Sequence, residues 1–161
     1  MSNKVFIVDA FTSEKFKGNQ AAVCLISQEL STEIYQKIAA EFNLSETVFP
    51  LPLEDKTWKT AKHFSLRWFT PTVEIDLCGH ATLATAHVLF NEIGNSNKEL
   101  IFSTLSGDLV VKNENGKLFM DFPCFKNLTN YSFENLKGVK SAKFVEKVVK
   151  VRNKTMKLPG S

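Results

Sequence analysis

Residues 79–93 read GHATLATAHVLFNEI and carry one formal charge, at Glu92. The run predicts a helix, closed by Gly94 just past its end. A helix that is apolar nearly all round has no face to give to water. It belongs inside a core, with other elements wrapped around it.

The flanking segments can supply that wrapping. Val5–Phe11 is β-branched and apolar and predicts a buried first strand. The turn chemistry of Phe16-Lys17-Gly18-Asn19 leads into a second strand over Gln20–Ile26. Ser31 suits an N-cap, and Ile34, Ile38 and Phe42 recur at helical spacing, so 32–42 predicts an amphipathic helix ended by Asn43. Thr47–Leu51 reads as a short strand stopped by Pro50 and Pro52. His63–Phe69 alternates Phe64, Leu66 and Trp68 with Ser65 and Arg67, the pattern of a half-buried strand. Leu100–Leu105, Asp108–Val111 and Leu118–Phe122 follow as strands, joined by turns at Ser106-Gly107 and Asn113-Glu114-Asn115-Gly116. Strands in hairpins rather than regular βαβ units predict an α+β fold. A twisted, mostly antiparallel sheet wraps the buried helix, and the amphipathic helix lies outside it.

With 43% apolar residues, fourteen Phe among 161 residues and no bilayer-length apolar run, the chain reads as globular, with no membrane partner. Met1–Asp9 meets a charge too soon for a signal peptide. Cys24, Cys78 and Cys124 are an odd set without metal-ligand spacing, which favours reduced thiols and a cytoplasmic location. Residues 137–157 hold eight Lys/Arg against one Glu, +7, while the rest of the chain holds twelve against sixteen Asp/Glu, −4. Phe144 is the one aromatic among those lysines, so the basic stretch reads as a solvated terminus rather than a nucleic-acid surface.

Three positions carry candidate chemistry. Glu46 stands between Leu44 and Val48, just past a helix end. A carboxylate among apolar neighbours loses hydration and holds a proton more readily, as a general acid/base must. Spacing alone equally describes a partly exposed glutamate at a strand start. Gly79-His80 opens the uncharged helix, where free N–H groups and the positive dipole end attract a carboxylate. His80 can relay a proton, or simply cap the helix. Cys78, at the helix mouth, is placed where thiols are acidified, or it is a buried inert cysteine. No phosphate loop, zinc pattern or nucleotide fingerprint is present.

Asp9-Ala10-Phe11-Thr12, Phe16–Val23, Asn43-Leu44-Ser45-Glu46-Thr47, Arg67-Trp68-Phe69-Thr70-Pro71 and Leu77–Ala84 together resemble the PhzF, or phenazine-biosynthesis-like, family, in particular its animal branch of MAWD-binding-protein-like proteins. The resemblance covers residues 4–122. It implies a diaminopimelate-epimerase-like fold of two similar domains with the active site between them. It implies Glu46 as the catalytic glutamate and Gly79 and His80 as the cleft-facing, substrate-binding helix start; Asn19, read first as a turn residue, stands as a candidate substrate contact outside that implication. No cofactor and no metal are implied. Gln20 departs from a common proline.

The resemblance divides the chain into an N-terminal domain, 1–122, and a basic tail, 123–161. That tail stands as a shortened or altered start of the second domain, as a splice form, truncation or fragment would leave it. The family's second-domain Asp-Pro-x-Thr-Gly-Ser pattern has no counterpart here. The expected activity is isomerisation of a small carboxylic acid, with Glu46 shuttling the proton. Two alternatives stand beside it: a catalytically inactive half-fold that binds a protein partner, and a racemase using Cys78 as a base. Exposure of a face that a second domain would cover leads us to expect a homodimer.

Overall fold

The computed structural model describes residues 3–53, 57–122, 145–146 and 151–156, the last two stretches by backbone alone. In chain order the elements are β1 (Asn3–Ala10), β2 (Asn19–Leu25), α1 (Thr32–Phe42), β3 (Glu46–Pro52), β4 (His63–Phe69), β5 (Glu74–Ile75) and α2 (Gly79–His87). After α2 come β6 (Glu99–Thr104), β7 (Gly107–Glu114), β8 (Lys117–Met120), β9 (Val145–Glu146) and β10 (Val151–Met156).

The strands form one sheet in the order β10-β1-β2-β3-β4-β6-β7-β8-β9, with β5 paired to β4. The β2–β3 and β4–β6 pairings are parallel and the others antiparallel. The two parallel pairs are the places where a helix intervenes: α1 between β2 and β3, α2 between β4 and β6.

Alternation along the strands builds two cores, one on each face. Phe6, Val8, Ala21, Val23, Val48 and Trp68 pack with Ala81, Leu83, Ala84 and Leu89 around α2. Val5, Ala22, Cys24, Phe49 and Phe69 pack with Tyr35, Ile38 and Ala39 of α1. The helix α2 touches β1, β2, β3 and β8. Its Thr82 and Thr85 hydroxyls are buried and donate to the Cys78 and Ala81 carbonyls at 2.6 and 2.8 Å, so neither needs a partner beyond the helix.

The outer helix is capped as its sequence suggests. Ile34 N donates to Ser31 Oγ at 3.4 Å, and Asn43 adopts the left-handed conformation, φ 51°, while its N–H donates to Ala39 O. Arg67 on β4 clamps α1 to the sheet. Its guanidinium donates twice to the Glu74 carboxylate at 2.7 Å and once to Thr32 Oγ1 at 2.9 Å, and stacks over Tyr35 and Phe69.

Three expectations change. Pro50 and Pro52 do not stop β3, because β2 pairs only with Glu46–Val48, and beyond that point the strand bonds to β4 alone. The α-helix ends at His87, and Val88–Glu92 continues as a π-helical turn whose bond runs from Ile93 N to Val88 O. Part of the basic stretch forms strands: the backbones of Val151–Met156 pair with β1 and those of Val145–Glu146 with β8, since open sheet edges offer unpaired backbone groups whatever the side-chain charge. The rest of 123–161, including Cys124 and Phe144, lies outside the described residues. Among the described residues, no helix is long and apolar enough to cross a membrane.

Burial of α2 on all sides predicts that the amides of Leu83–Leu89 are among the slowest to exchange with deuterium. Leu89→Ala, at a fully buried position, is expected to destabilise the chain by about 2–5 kcal/mol in urea titration.

Candidate active site

Four segments meet where α2 begins. Glu46 is the first residue of β3, held level with Ala21 by the parallel pairing to β2. Cys78, in extended conformation, is the N-cap of α2, and His80 is the helix's second residue. The Glu46 Oε2 and His80 Nε2 atoms lie 3.0 Å apart, with side chains 15% and 8% exposed. Neither buried atom has a hydrogen-bond partner among the described residues, so the contact between them is electrostatic. On the other side of the imidazole, Nδ1 is 3.3 Å from the Cys78 sulfur. The three side chains form a line: thiol, imidazole, carboxylate.

Burial sets the electrostatics of this line. It holds the His80 ring below its usual pKa, against the opposing pull of the Glu46 carboxylate and the Gln20 backbone, so the ring is neutral at pH 7. Burial also pushes the Cys78 thiol up to about 12, and the Glu46 carboxylate adds to the rise. The nearby Ala81 and His80 backbone amides act the other way but lose. Of the two readings of Cys78, its surroundings favour the buried thiol: loss of water outweighs the helix end.

Asn19 reaches the group through a neighbour. Ser45 Oγ lies 3.2 Å from Asn19 Oδ1 and 3.0 Å from the Gln20 carbonyl, which ties the start of β2 to the segment carrying Glu46. A Cβ at Gly79 would lie 2.9 Å from Cε2 of Phe122, a partly exposed ring that would have to swing aside.

Sequence reasoning missed the aromatic rim. Phe122 packs on the helix start, and the Phe11 ring sits 6.2 Å from the His80 ring. Phe11 is held in place by a left-handed backbone, φ 64°, which no sequence pattern announces. Asp9 was also missed. It is buried, with Oδ2 accepting from Phe16 N at 3.3 Å and Oδ1 without a hydrogen-bond partner among the described residues. One ligand atom each from Glu46, Cys78 and His80 lies within 4.8 Å of the other two, but the thiol and the carboxylate face opposite nitrogens of the one imidazole, so as it stands the trio does not close around a single ion. Linear spacing gave no sign of this grouping, because Glu46 comes from a different strand.

The phenazine biosynthesis-like protein family matches residues 8–155. The human phenazine biosynthesis-like domain-containing protein is 48% identical over 126 residues, 78% of this chain and 44% of the human protein. An uncharacterized isomerase of Pseudomonas aeruginosa is 48% identical over 123 residues, 76% of this chain and 45% of its own length. The crystal structure of an Enterococcus faecalis protein of the PhzF family superposes with a TM-score of 0.69 at 47% identity, over 76% of this chain and 45% of that one. A Pseudomonas aeruginosa protein described as a predicted epimerase shares the fold, with a TM-score of 0.60 at 24% identity. The α+β architecture is thus of the diaminopimelate-epimerase-like kind. The chain spans under half the length of these relatives.

Two outcomes follow from the buried imidazoles and thiol. The folded chain holds His80 and His87 below the usual 6.5, so as pH falls through that value the unfolded chain binds more protons and stability drops; above it their contribution is fully present. Urea midpoints are expected to fall from about pH 7.5 to about pH 5.5, and His80→Gln should flatten that slope. Cys78 should resist alkylation in the folded chain at about pH 8, because the thiolate is the reacting form; peptide mapping that finds it modified as fast as a free thiol would contradict the burial argument.

Proposed function

This chain belongs to the phenazine biosynthesis-like (PhzF) family, and on that premise we propose that it forms one wall of an isomerase site acting on a small carboxylic acid. Glu46 removes a proton from one carbon and returns it at another. His80, neutral and 3.0 Å away, orients that carboxylate and hydrogen-bonds to charge developing on the substrate. The Gly79-His80 end of α2 receives the substrate carboxylate, and Asn19 lines the approach.

The observation that carries this reading is the Glu46–His80 contact itself. A buried carboxylate oxygen with no hydrogen-bond partner among the described residues sits against a neutral imidazole at the mouth of an uncharged helix. Burying such a group unsatisfied costs free energy, and a bound substrate would supply the missing partner.

A second reading rests on Phe11 and Phe122, which remain 41% and 45% exposed beside this site. Large apolar side chains clustered at a site mark a surface that another one covers. In this reading the face binds protein, as a homodimer or with another partner, and performs no chemistry. Sedimentation over micromolar concentrations tests the homodimer: association that Phe122→Ser abolishes supports it, and a stable monomer removes it.

The chemistry is tested by solvent deuterium wash-in at the acidic carbon of a substrate acid, using this chain and a form joined to the remaining half of a relative. Glu46→Gln should lower the wash-in rate at least about a hundredfold with little change in binding, as positioned acid/base groups contribute 10²–10⁴. Cys78→Ala should cost far less. Wash-in that survives Glu46→Gln but is lost in Cys78→Ala would transfer the role to the thiol.

A further inference from the structure

We infer that Cys78 is a positioning residue for His80: its S–H bonds to Nδ1, which leaves the ring proton on Nε2, where it faces Glu46. Cys78 Sγ lies 3.3 Å from Nδ1, and Glu46 Oε2 lies 3.0 Å from Nε2. A neutral imidazole has one N–H and one bare nitrogen, and the bond made at one nitrogen settles the state of the other. Here each nitrogen meets a different side chain, and one assignment suits both.

At Nε2 the neighbour is an anion. Glu46 acts on the ring through its negative charge. A bare Nε2 3.0 Å from Oε2 would set two lone pairs against each other, whereas Nε2–H turns a positive edge to that oxygen. At Nδ1 the neighbour is a thiol. Burial pushes Cys78 up to about 12, so at pH 7 it holds its proton and has an S–H to donate. The sulfur makes no capping hydrogen bond, and Nδ1 is the partner it meets among the described residues.

The consequence for chemistry rests on the isomerase reading above, whereas the tautomer does not. Nε2 is buried and has no hydrogen-bond partner among the described residues, so its N–H is a donor held ready for charge that forms on a substrate beside Glu46. With the tautomer reversed, the same nitrogen would present a lone pair to that charge and repel it. Cys78 thus acts through the imidazole and not as a base: its proton stays on sulfur, and no bond to the substrate forms or breaks there.

The tautomer is read without substrate, by long-range proton–nitrogen correlation NMR of the histidine rings at about pH 7.5, where a neutral His80 shows which nitrogen is protonated. Loss of signals in His80→Gln identifies the ring. Expected in the wild-type chain are a protonated Nε2 and a bare Nδ1 whose resonance is shifted by the thiol bond. Cys78→Ala should move that resonance toward the position of an unbonded nitrogen, and Cys78→Ser, which restores a donor at similar size, should move it back. A proton found on Nδ1 in the wild type, shared with the sulfur or with the Gln20 backbone, overturns the inference. So does an Nδ1 resonance that Cys78→Ala leaves unmoved, or that both variants move alike. With a substrate acid, Cys78→Ala should lower the deuterium wash-in rate about two- to tenfold, the range for one lost hydrogen bond, and Cys78→Ser should recover it. A wild-type Nε2–H bonded as expected, with wash-in indifferent to Cys78→Ala, would leave the positioning standing and count against His80 as the donor to the substrate.

Discussion

Burial of α2 is the constraint on which the rest of the structure depends. The helix offers no charged face, so the sheet must curl around it, and β1, β2, β3 and β8 all reach it. Its two buried threonines bond inward to their own helix, which leaves the wrapping strands free to present only apolar side chains. The amphipathic α1 then closes the other face of the same strands. The result is two cores sharing one sheet, each reading alternate residues of β1, β2, β3 and β4.

The site is a by-product of that wrapping. A helix threaded through a curled sheet brings its first turn up to the strand ends, and there β3 begins with Glu46 and β2 with Asn19. The N–H groups of that first turn are a source of positive potential. Cys78 is the N-cap residue here, and its side chain makes no capping hydrogen bond. The buried imidazole stands between the sulfur and the carboxylate with a ring nitrogen toward each.

Burial also decides which local rule prevails. A helix start acidifies a nearby thiol in water-exposed settings; here loss of water reverses the outcome, and it holds His80 neutral as well. Left-handed backbone also shapes the rim. Phe11 and Phe16 both adopt left-handed backbone in the loop between β1 and β2, where Asp9 accepts from Phe16 N.

The secondary structure was legible in the sequence because its causes are local. The capping by Ser31 and Asn43, the alternation of Phe64, Leu66 and Trp68, the Asn115-Gly116 turn and the uncharged run after Gly79 each act within a few residues. Glu46, Gly79 and His80 were legible as candidates through motif resemblance, with Cys78 beside them. Tertiary structure alone decided what depends on pairing across the chain: that β3 runs through Pro50 and Pro52 because one of its sides is open, that Val151–Met156 return to β1, and that Phe11 and Phe122 frame the site. It also decided the protonation of Cys78 and His80, because desolvation is set by the atoms that fold supplies from elsewhere in the chain, and no local pattern encodes them.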